Sequence, residues 1–227
     1  MKIKLYKPFE HWYHGGTIFL YSDPHFDEHD LPNMPAEEQV KNINSKVGKN
    51  DTIIFLGDIG NEGWISSIKG YKVLLLGNHD KGKSNYIKKY YSICNNKKIF
   101  ESEHAYECEE FNFEYYMDNG KVLGFKCNNM FDEIYDGPLF INEKILLSHE
   151  RIALPFGINI HGHNHGGIKT GPNYRLWGDK SIFFNVCADV IDYTPVRLDK
   201  LVEGTKVTDI HRIAIDRAME KKECLNF

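Results

Sequence analysis

The chain reads as an α/β protein, and two observations predict that class. Five short apolar runs, each typical of a strand buried on both faces, break off at a polar motif. Segments with helical spacing of apolar residues lie among and after these runs, as crossover and closing helices of a sheet protein would. A length of 227 residues accommodates one domain spanning 1–227. No internal repeat, low-complexity stretch or linker divides it.

Thr17–Tyr21 is the first expected strand. It ends in Ser22-Asp23-Pro24-His25, where Pro24 prevents continuation as a central strand. On an extended backbone Asp23 and His25, two apart, point the same way. A helix is expected over Pro35–Val47: Pro35 suits the first turn, Glu37 and Glu38 favour the helix dipole, and Gly48 ends it. Its Val40, Ile43 and Val47 form a core-facing stripe. Asp51–Leu56 and Tyr71–Leu76 are the second and third strands, stopping at Gly57-Asp58 and Gly77-Asn78-His79-Asp80. Asn61–Lys69 between them has the length of a short crossover helix.

Residues 81–130 are less patterned. Lys81–Tyr91 is either a basic helix or a solvated segment. Asp118-Asn119-Gly120 marks a hairpin with strands near 111–117 and 121–126. The aromatics Tyr106, Phe111, Phe113, Tyr115 and Tyr116 either fill a secondary core or line a substrate entrance. Gly137–Ile141, Glu143–Leu147, Phe156–Ile160 and Ser181–Asp189 complete the expected strands, with Cys187 as a small apolar filler. Ile210, Ile213, Ala214 and Ala218 predict a closing amphipathic helix over 209–222.

Composition narrows the function classes. The chain is 41% hydrophobic and 26% charged, ordinary for a globular protein. A formal net charge of -4 gives no general nucleic-acid surface, and basic clusters are confined to 81–89 and Lys97-Lys98. The five cysteines are scattered without CxxC pairing, which argues for a reduced, cytoplasmic setting and against a thiolate metal site. No apolar run is long enough to span a bilayer, so no membrane partner is expected. Nothing in the chain sets an oligomeric state.

The five apolar runs end in Asp23/His25, Asp58, Asn78/His79, His149 and His163/His165. In open α/β sheets the ligand crevice lies outside the carboxyl ends of the strands, so these side chains can converge there. Carboxylates, an amide oxygen and imidazoles suit Mn, Fe, Zn, Co or Ni. There are more ligands than one ion uses. Two divalent ions ~3.5–4 Å apart, bridged by one carboxylate, would use them all and would acidify a bridging water to hydroxide for attack on phosphorus.

The series Asp23-x-His25, Gly57-Asp58, Gly77-Asn78-His79-Asp80, His149 and Gly162-His163-Asn164-His165 resembles the calcineurin-like metallophosphoesterases. That superfamily includes purple acid phosphatases, Ser/Thr protein phosphatases and repair nucleases. The segment 185–201 (NVCADVIDYTPVRLDKL) further resembles the small phage and bacterial phosphoesterase branch, which usually carries NVGVD there. The resemblance implies a four-layer α/β/β/α sandwich, two mixed sheets flanked by helices. It implies one ion on Asp23, His25 and His165, a second on Asn78, His149 and His163, and Asp58 bridging both. Manganese is the expected metal.

His79 matches the family's catalytic histidine, acting as general acid or as a cation beside the leaving group. Asp80 either orients His79 or shapes its turn. His161 matches no ligand position. Residues 95–130 look like an insertion relative to compact members of the branch. The usual aromatic and proline after the fourth-block histidine are replaced by Glu150 and Arg151, and Arg151 serves either a substrate phosphate or a surface ion pair. His29 has no FGH context and is not expected to contact substrate.

The expected activity is hydrolysis of a phosphate ester, with a phosphodiesterase on a small nucleotide-type substrate preferred over a phosphomonoesterase or protein phosphatase. A non-catalytic scaffold of the same fold, such as a retromer subunit with a degenerate metal site, has no need of the complete ligand set and His79.

Overall fold

The computed structural model describes residues 2–13, 15–28, 34–80, 92–94, 97–99, 113–118, 121–127, 130–135, 137–154, 157–166, 181–203 and 205. Thirteen strands are present there: β1 (Ile18–Tyr21), β2 (Thr52–Phe55), β3 (Tyr71–Leu75), β4 (Ser92–Cys94), β5 (Lys97–Ile99), β6 (Phe113–Asp118), β7 (Lys121–Cys127), β8 (Glu133–Tyr135), β9 (Leu139–Phe140), β10 (Ile145–Leu147), β11 (Gly157–His161), β12 (Ser181–Asn185) and β13 (Val196–Arg197). Two α-helices accompany them, α1 (Ala36–Lys46) and α2 (Leu198–Val202).

Eleven of these strands form two mixed sheets, and β4 and β5 pair apart from them as an antiparallel two-stranded sheet. The larger runs β13-β1-β2-β3-β8-β7-β6, parallel from β1 through β8 and antiparallel at both flanks. The smaller runs β12-β11-β10-β9, parallel except for β9. Strand alternation divides the apolar residues of β1 to β3 between two cores. Ile18, Leu20, Ile54, Val73 and Leu75 meet Ile145, Leu147, Ile158, Ile160 and Phe184 of the other sheet. Phe19, Tyr21, Ile53, Phe55 and Leu74 face the opposite way and pack on Val40 and Ile43 of α1. Burying each such side chain contributes about 1.5–3 kcal/mol, so the tips of the central strands are held from both faces.

Helix α1 begins after Pro35, with Glu37 and Glu38 in its first turn, as the sequence predicts. Its buried Gln39 adds a polar link: Nε2 donates to the Pro24 carbonyl at 3.0 Å, and Oε1 accepts from the Tyr21 hydroxyl at 2.9 Å. The helix is thereby tied to the turn between Asp23 and His25.

Several expectations change. The crossover over 61–69 is a 3₁₀ helix, Glu62–Ser67, capped by the Asn61 side chain on the Gly63 N–H at 3.0 Å. Nine residues between Gly60 and Gly70 leave room for little more. The strand expected over 137–141 shrinks to Leu139–Phe140, and that over 181–189 stops at Asn185. Strands β8 and β13 and the 3₁₀ helix Lys7–Tyr13 are not foreseen. Strand β8 escapes notice because a glutamate stands in its three residues. The hairpin expected near 111–126 is present as β6 and β7, continuing the larger sheet to its edge. The segments 81–91 and 209–222, His29, Asn119-Gly120, Tyr106 and Phe111 lie outside the described residues.

Candidate metal centre

The carboxyl ends of β1, β2, β3, β10 and β11 meet at one crevice between the sheets. The loops after β1 and β2 run side by side: the N–H groups of Asp23, His25 and Phe26 donate to the carbonyls of Gly57, Asp58 and Ile59 at 3.0, 3.1 and 2.9 Å. Asp23 and His25 are not extended, as the sequence suggested. Their φ angles are 53° and 41°, and Asp58 and His163 share the left-handed region at 54° and 66°. Aspartate and histidine tolerate that region better than most residues, yet each such conformation costs of order 1–3 kcal/mol and persists where its surroundings over-determine it.

Two glycines permit the convergence. A Cβ on Gly77 would stand 2.2 Å from Asp58 Oδ1 and 2.7 Å from the Asp58 nitrogen. One on Gly162 would stand 2.0 Å from Ser22 Oγ and 2.2 Å from Asp23 Oδ2. Only hydrogen fits at either place, so the motif glycines let the strand tips close on the carboxylates.

Two groups of ligand atoms result, each within 4.8 Å of one another: Asp23, His25 and His165, and Asp58, His149 and His163. In the first, His25 Nε2 lies 3.1 Å from His165 Nε2 and 3.9 Å from Asp23 Oδ1, and His165 Nε2 lies 3.7 Å from Asp23 Oδ1. In the second, His149 Nε2 lies 2.7 Å from Asn78 Oδ1, 3.2 Å from His163 Nδ1 and 3.3 Å from Asp58 Oδ2. Asp58 Oδ2 is also 3.9 Å from His25 Nε2. One carboxylate oxygen therefore reaches both groups.

The far nitrogen of three imidazoles is engaged. His25 Nδ1 meets Glu28 Oε2 at 2.5 Å, His149 Nδ1 the Leu56 carbonyl at 2.8 Å, and His165 Nδ1 the Asp189 carboxylate at 3.3 Å. A proton on each Nδ1 leaves the Nε2 lone pair aimed into the crevice, the usual way proteins orient imidazole ligands. Asp23 is arranged to match. Its Oδ2 accepts from Ser22 Oγ at 2.5 Å, the His163 N–H at 2.9 Å and Cys187 Sγ at 3.3 Å, while Oδ1 is buried without a hydrogen-bond partner. An orphaned carboxylate oxygen facing converging imidazole lone pairs is what a cation would satisfy. This donor set of oxygen and nitrogen fits divalent transition metals.

The electrostatics carry the same signature. Burial lowers the His149 pKa, but Asp58 and Asp23 outweigh it and push the value to about 9. Burial raises Asp58, yet the hydrogen bonds from His149 and the His79 N–H hold it below the ordinary carboxylate value. The site thus prefers positive charge. His161 differs: burial lowers it to about 4, and its Nδ1 stays on the Gly162 carbonyl at 2.8 Å. Its ring packs on Phe183 with centroids 6.4 Å apart.

The other sequence candidates are placed as follows. His79 is exposed at the rim, its ring edge-on to His25 with centroids 5.5 Å apart. Asp80 is buried, its carboxylate on the backbone N–H groups of Asp58, Ile59 and Gly77 at 2.9, 3.0 and 2.7 Å. Arg151 is exposed with its guanidinium 5.3 Å above the Phe183 ring. Cys187 is buried as expected of a filler, but its thiol also lies on Asp23, and burial with the nearby carboxylates pushes its pKa up.

Ser22, Glu28, Gln39, Asn185, Cys187 and Asp189 support the site and escape the sequence reading. Asn185 does so through its amide, which donates to the Asn164 carbonyl at 2.7 Å. Of these, Glu28, three residues beyond His25, carries a local signal, and Asn185, Cys187 and Asp189 lie in the motif segment 185–201, which the sequence reading leaves outside the site.

No curated protein matches the chain significantly. Among solved structures it is similar to a protein of unknown function, AQ665 from Aquifex aeolicus, at 21% identity over 81% of this chain and 96% of that one. The TM-score of that pair is 0.48. The family model described as calcineurin-like phosphoesterase matches residues 16–195, a span that holds every candidate ligand. The chain belongs to the calcineurin-like phosphoesterase family.

Proposed function

We propose that the protein is a dinuclear-metal-dependent hydrolase of phosphate esters, a phosphodiesterase acting on a small nucleotide-type substrate. The observation that carries this reading is Asp58 Oδ2, within 3.9 Å of His25 Nε2 and 3.3 Å of His149 Nε2, between two ligand groups. Asp23, His25 and His165 would hold one ion, Asn78, His149 and His163 the other, with Asp58 shared. Two divalent ions, manganese by preference, supply Lewis acidity to a phosphoryl oxygen and lower the pKa of water.

The chain's own groups do the rest. His79, whose backbone is fixed by its N–H on Asp58 Oδ1 at 2.8 Å, stands at the rim to protonate the departing oxygen. Asp80 fixes the loops from which Asp58 and His79 project. Arg151, two residues past His149 and exposed, is the candidate for a substrate phosphate. The preference for a diester is supported by the likeness of 185–201 to the small phage and bacterial branch. The scattered cysteines support a reducing, cytoplasmic setting. No helix among the described residues is long and apolar enough to cross a membrane.

The test is turnover of bis-p-nitrophenyl phosphate against p-nitrophenyl phosphate by the manganese-loaded protein. Faster diester hydrolysis supports the proposal. Much faster monoester hydrolysis replaces it with a phosphomonoesterase. Two bound ions with turnover of neither substrate, nor of a panel of nucleotide diesters, would mark a scaffold.

A further inference from the structure

We propose that Cys187 is a positioning residue of the metal centre: its thiol joins the Ser22 hydroxyl and the His163 N–H on Asp23 Oδ2, leaving only Oδ1 to face the crevice. The inference rests on the metallohydrolase reading above and concerns a position where the branch pattern has glycine and this chain does not.

The backbone puts the thiol there. Ser22 and Cys187 form an isolated parallel bridge between the two sheets, and the Ala188 N–H donates to the Ser22 carbonyl at 2.8 Å. The Cys187 N–H is held by Asn185 Oδ1 at 3.0 Å. With its backbone fixed on both sides, the side chain projects onto Asp23, Sγ to Oδ2 3.3 Å. Asp23 is 1% exposed and Cys187 0%, so water does not compete for that oxygen.

The consequence is control of coordination. A carboxylate with both oxygens free rotates and binds one ion through either or both. Three donors on Oδ2 stop that rotation and hold Oδ1, which has no hydrogen-bond partner, toward His25 and His165. The thiol is the third of these donors and the only one contributed by the smaller sheet's β12 end. Cys187 also stands near His165 and Asp189, and those three could themselves form a ligand group. A metal ligand there would have to be the thiolate, whereas the 3.3 Å contact to Asp23 Oδ2 is that of a thiol donating to a carboxylate.

Calorimetric titration of the metal-stripped full chain with Mn²⁺ tests the proposal, using wild type, Cys187→Ala and Cys187→Ser. Losing a group that orients a metal ligand costs about 10–100-fold in affinity. The Ala variant is expected at the low end of that range for one of two ions, with Ser restoring most of the loss. A mere packing role predicts the reverse order, because serine buries a hydroxyl where alanine leaves only a small void. Melting temperatures of the metal-free variants show whether each is folded, and Ser22→Ala, which removes a neighbouring donor, is expected to weaken the same ion. Wild-type affinity in Cys187→Ala, or Ser binding worse than Ala, overturns the inference alone. An intense thiolate-to-cobalt charge-transfer band on loading with Co²⁺ also overturns it, by making Cys187 a ligand. A wild-type protein that binds no Mn²⁺ overturns the metallohydrolase reading and this inference with it.

Discussion

Asp58 and Asp80 hold each other's loops in place: the Asp58 N–H donates to Asp80 Oδ2 at 2.9 Å, and Asp58 Oδ1 accepts the N–H of His79, Asp80's neighbour, at 2.8 Å. The N–H groups of Ile59 and Gly77 complete the clasp on Asp80. Asp80 thus acts on the site through the backbone that presents Asp58 and His79. Asp80→Ala would leave three buried N–H groups unpaired, each costing about 1–3 kcal/mol before relaxation. A lower melting temperature is expected, with Mn²⁺ affinity reduced about 10–100-fold although Asp80 is a member of neither ligand group. Asp80→Asn keeps one acceptor oxygen and should recover part of both. Calorimetry showing wild-type affinity in a folded Ala variant would sink this account.

The candidate ligands can be brought together from the sequence because each follows a short, largely apolar run, and the end of a buried strand limits where the next side chains go. Asp23, Asp58, Asn78, His149, His163 and His165 all meet at the crevice on that logic. His25 reaches it too, but Asp23 and His25 are presented by left-handed turns, as are Asp58 and His163, so the extended-strand reasoning for Asp23 and His25 gave the correct neighbourhood by an incorrect backbone. What supports the ligands is not legible. Ser22 meets Cys187 between the two sheets, and His165 meets Asp189 between the loops that follow β11 and β12, and no local pattern encodes a contact between residues so far apart in sequence. Short strands fail for a related reason. Glu133 in β8 looks like surface to any periodicity rule, yet it is fully buried.

That glutamate carries its own prediction. Glu133 accepts from Trp12 Nε1 at 2.9 Å and from the hydroxyls of Tyr71 and Tyr135, both at 2.6 Å, and its Oε1 meets His11 Nε2. It ties the 3₁₀ helix Lys7–Tyr13 to the larger sheet. Burial raises its pKa, but His11 and the two tyrosines outweigh burial and hold the carboxyl below the ordinary value. A depressed folded pKa contributes stability that is complete above the unfolded value and is lost as pH falls through the folded one. Glu133→Gln should therefore be less stable than wild type at pH 7, and the gap should narrow on acidification below about pH 4.5, the ordinary glutamate value. Truncation to Ala, which strands several buried donors, should cost about 3–5 kcal/mol. Thermal melts across pH 3 to 7 check both, and a gap independent of pH would refute the ionic account.

His149 gives the opposite slope. Without metal its pKa is raised from 6.5 to about 9, so the proton stabilises the fold fully below pH 6.5, and that contribution is lost as pH climbs through about 9. A metal ion needs the neutral imidazole and must displace the proton. Metal-free protein should thus lose stability between pH 6.5 and 9, while Mn²⁺ affinity rises by up to about tenfold per pH unit for one displaced proton. Titrations in buffers of different ionisation enthalpy count the protons released. Affinity that is flat over this range, with no proton release, would show that His149 is not a ligand.

His79 separates chemistry from binding. It lies 5.5 Å from His25 between ring centroids, but no contact places it in either ligand group. His79→Ala is therefore expected to keep both metal affinities and to lower kcat by about 10²–10⁴, the range for a positioned acid or base. The leaving group then distinguishes its two roles. A nitrophenolate departs without protonation, so a general acid contributes little to its release. A nucleoside alkoxide needs the proton. If His79 is the acid, the loss should be far larger for a dinucleotide than for a nucleoside p-nitrophenyl ester. Equal losses on both would assign it instead to stabilising charge on the phosphoryl oxygens, and unchanged turnover on both would remove it from the mechanism.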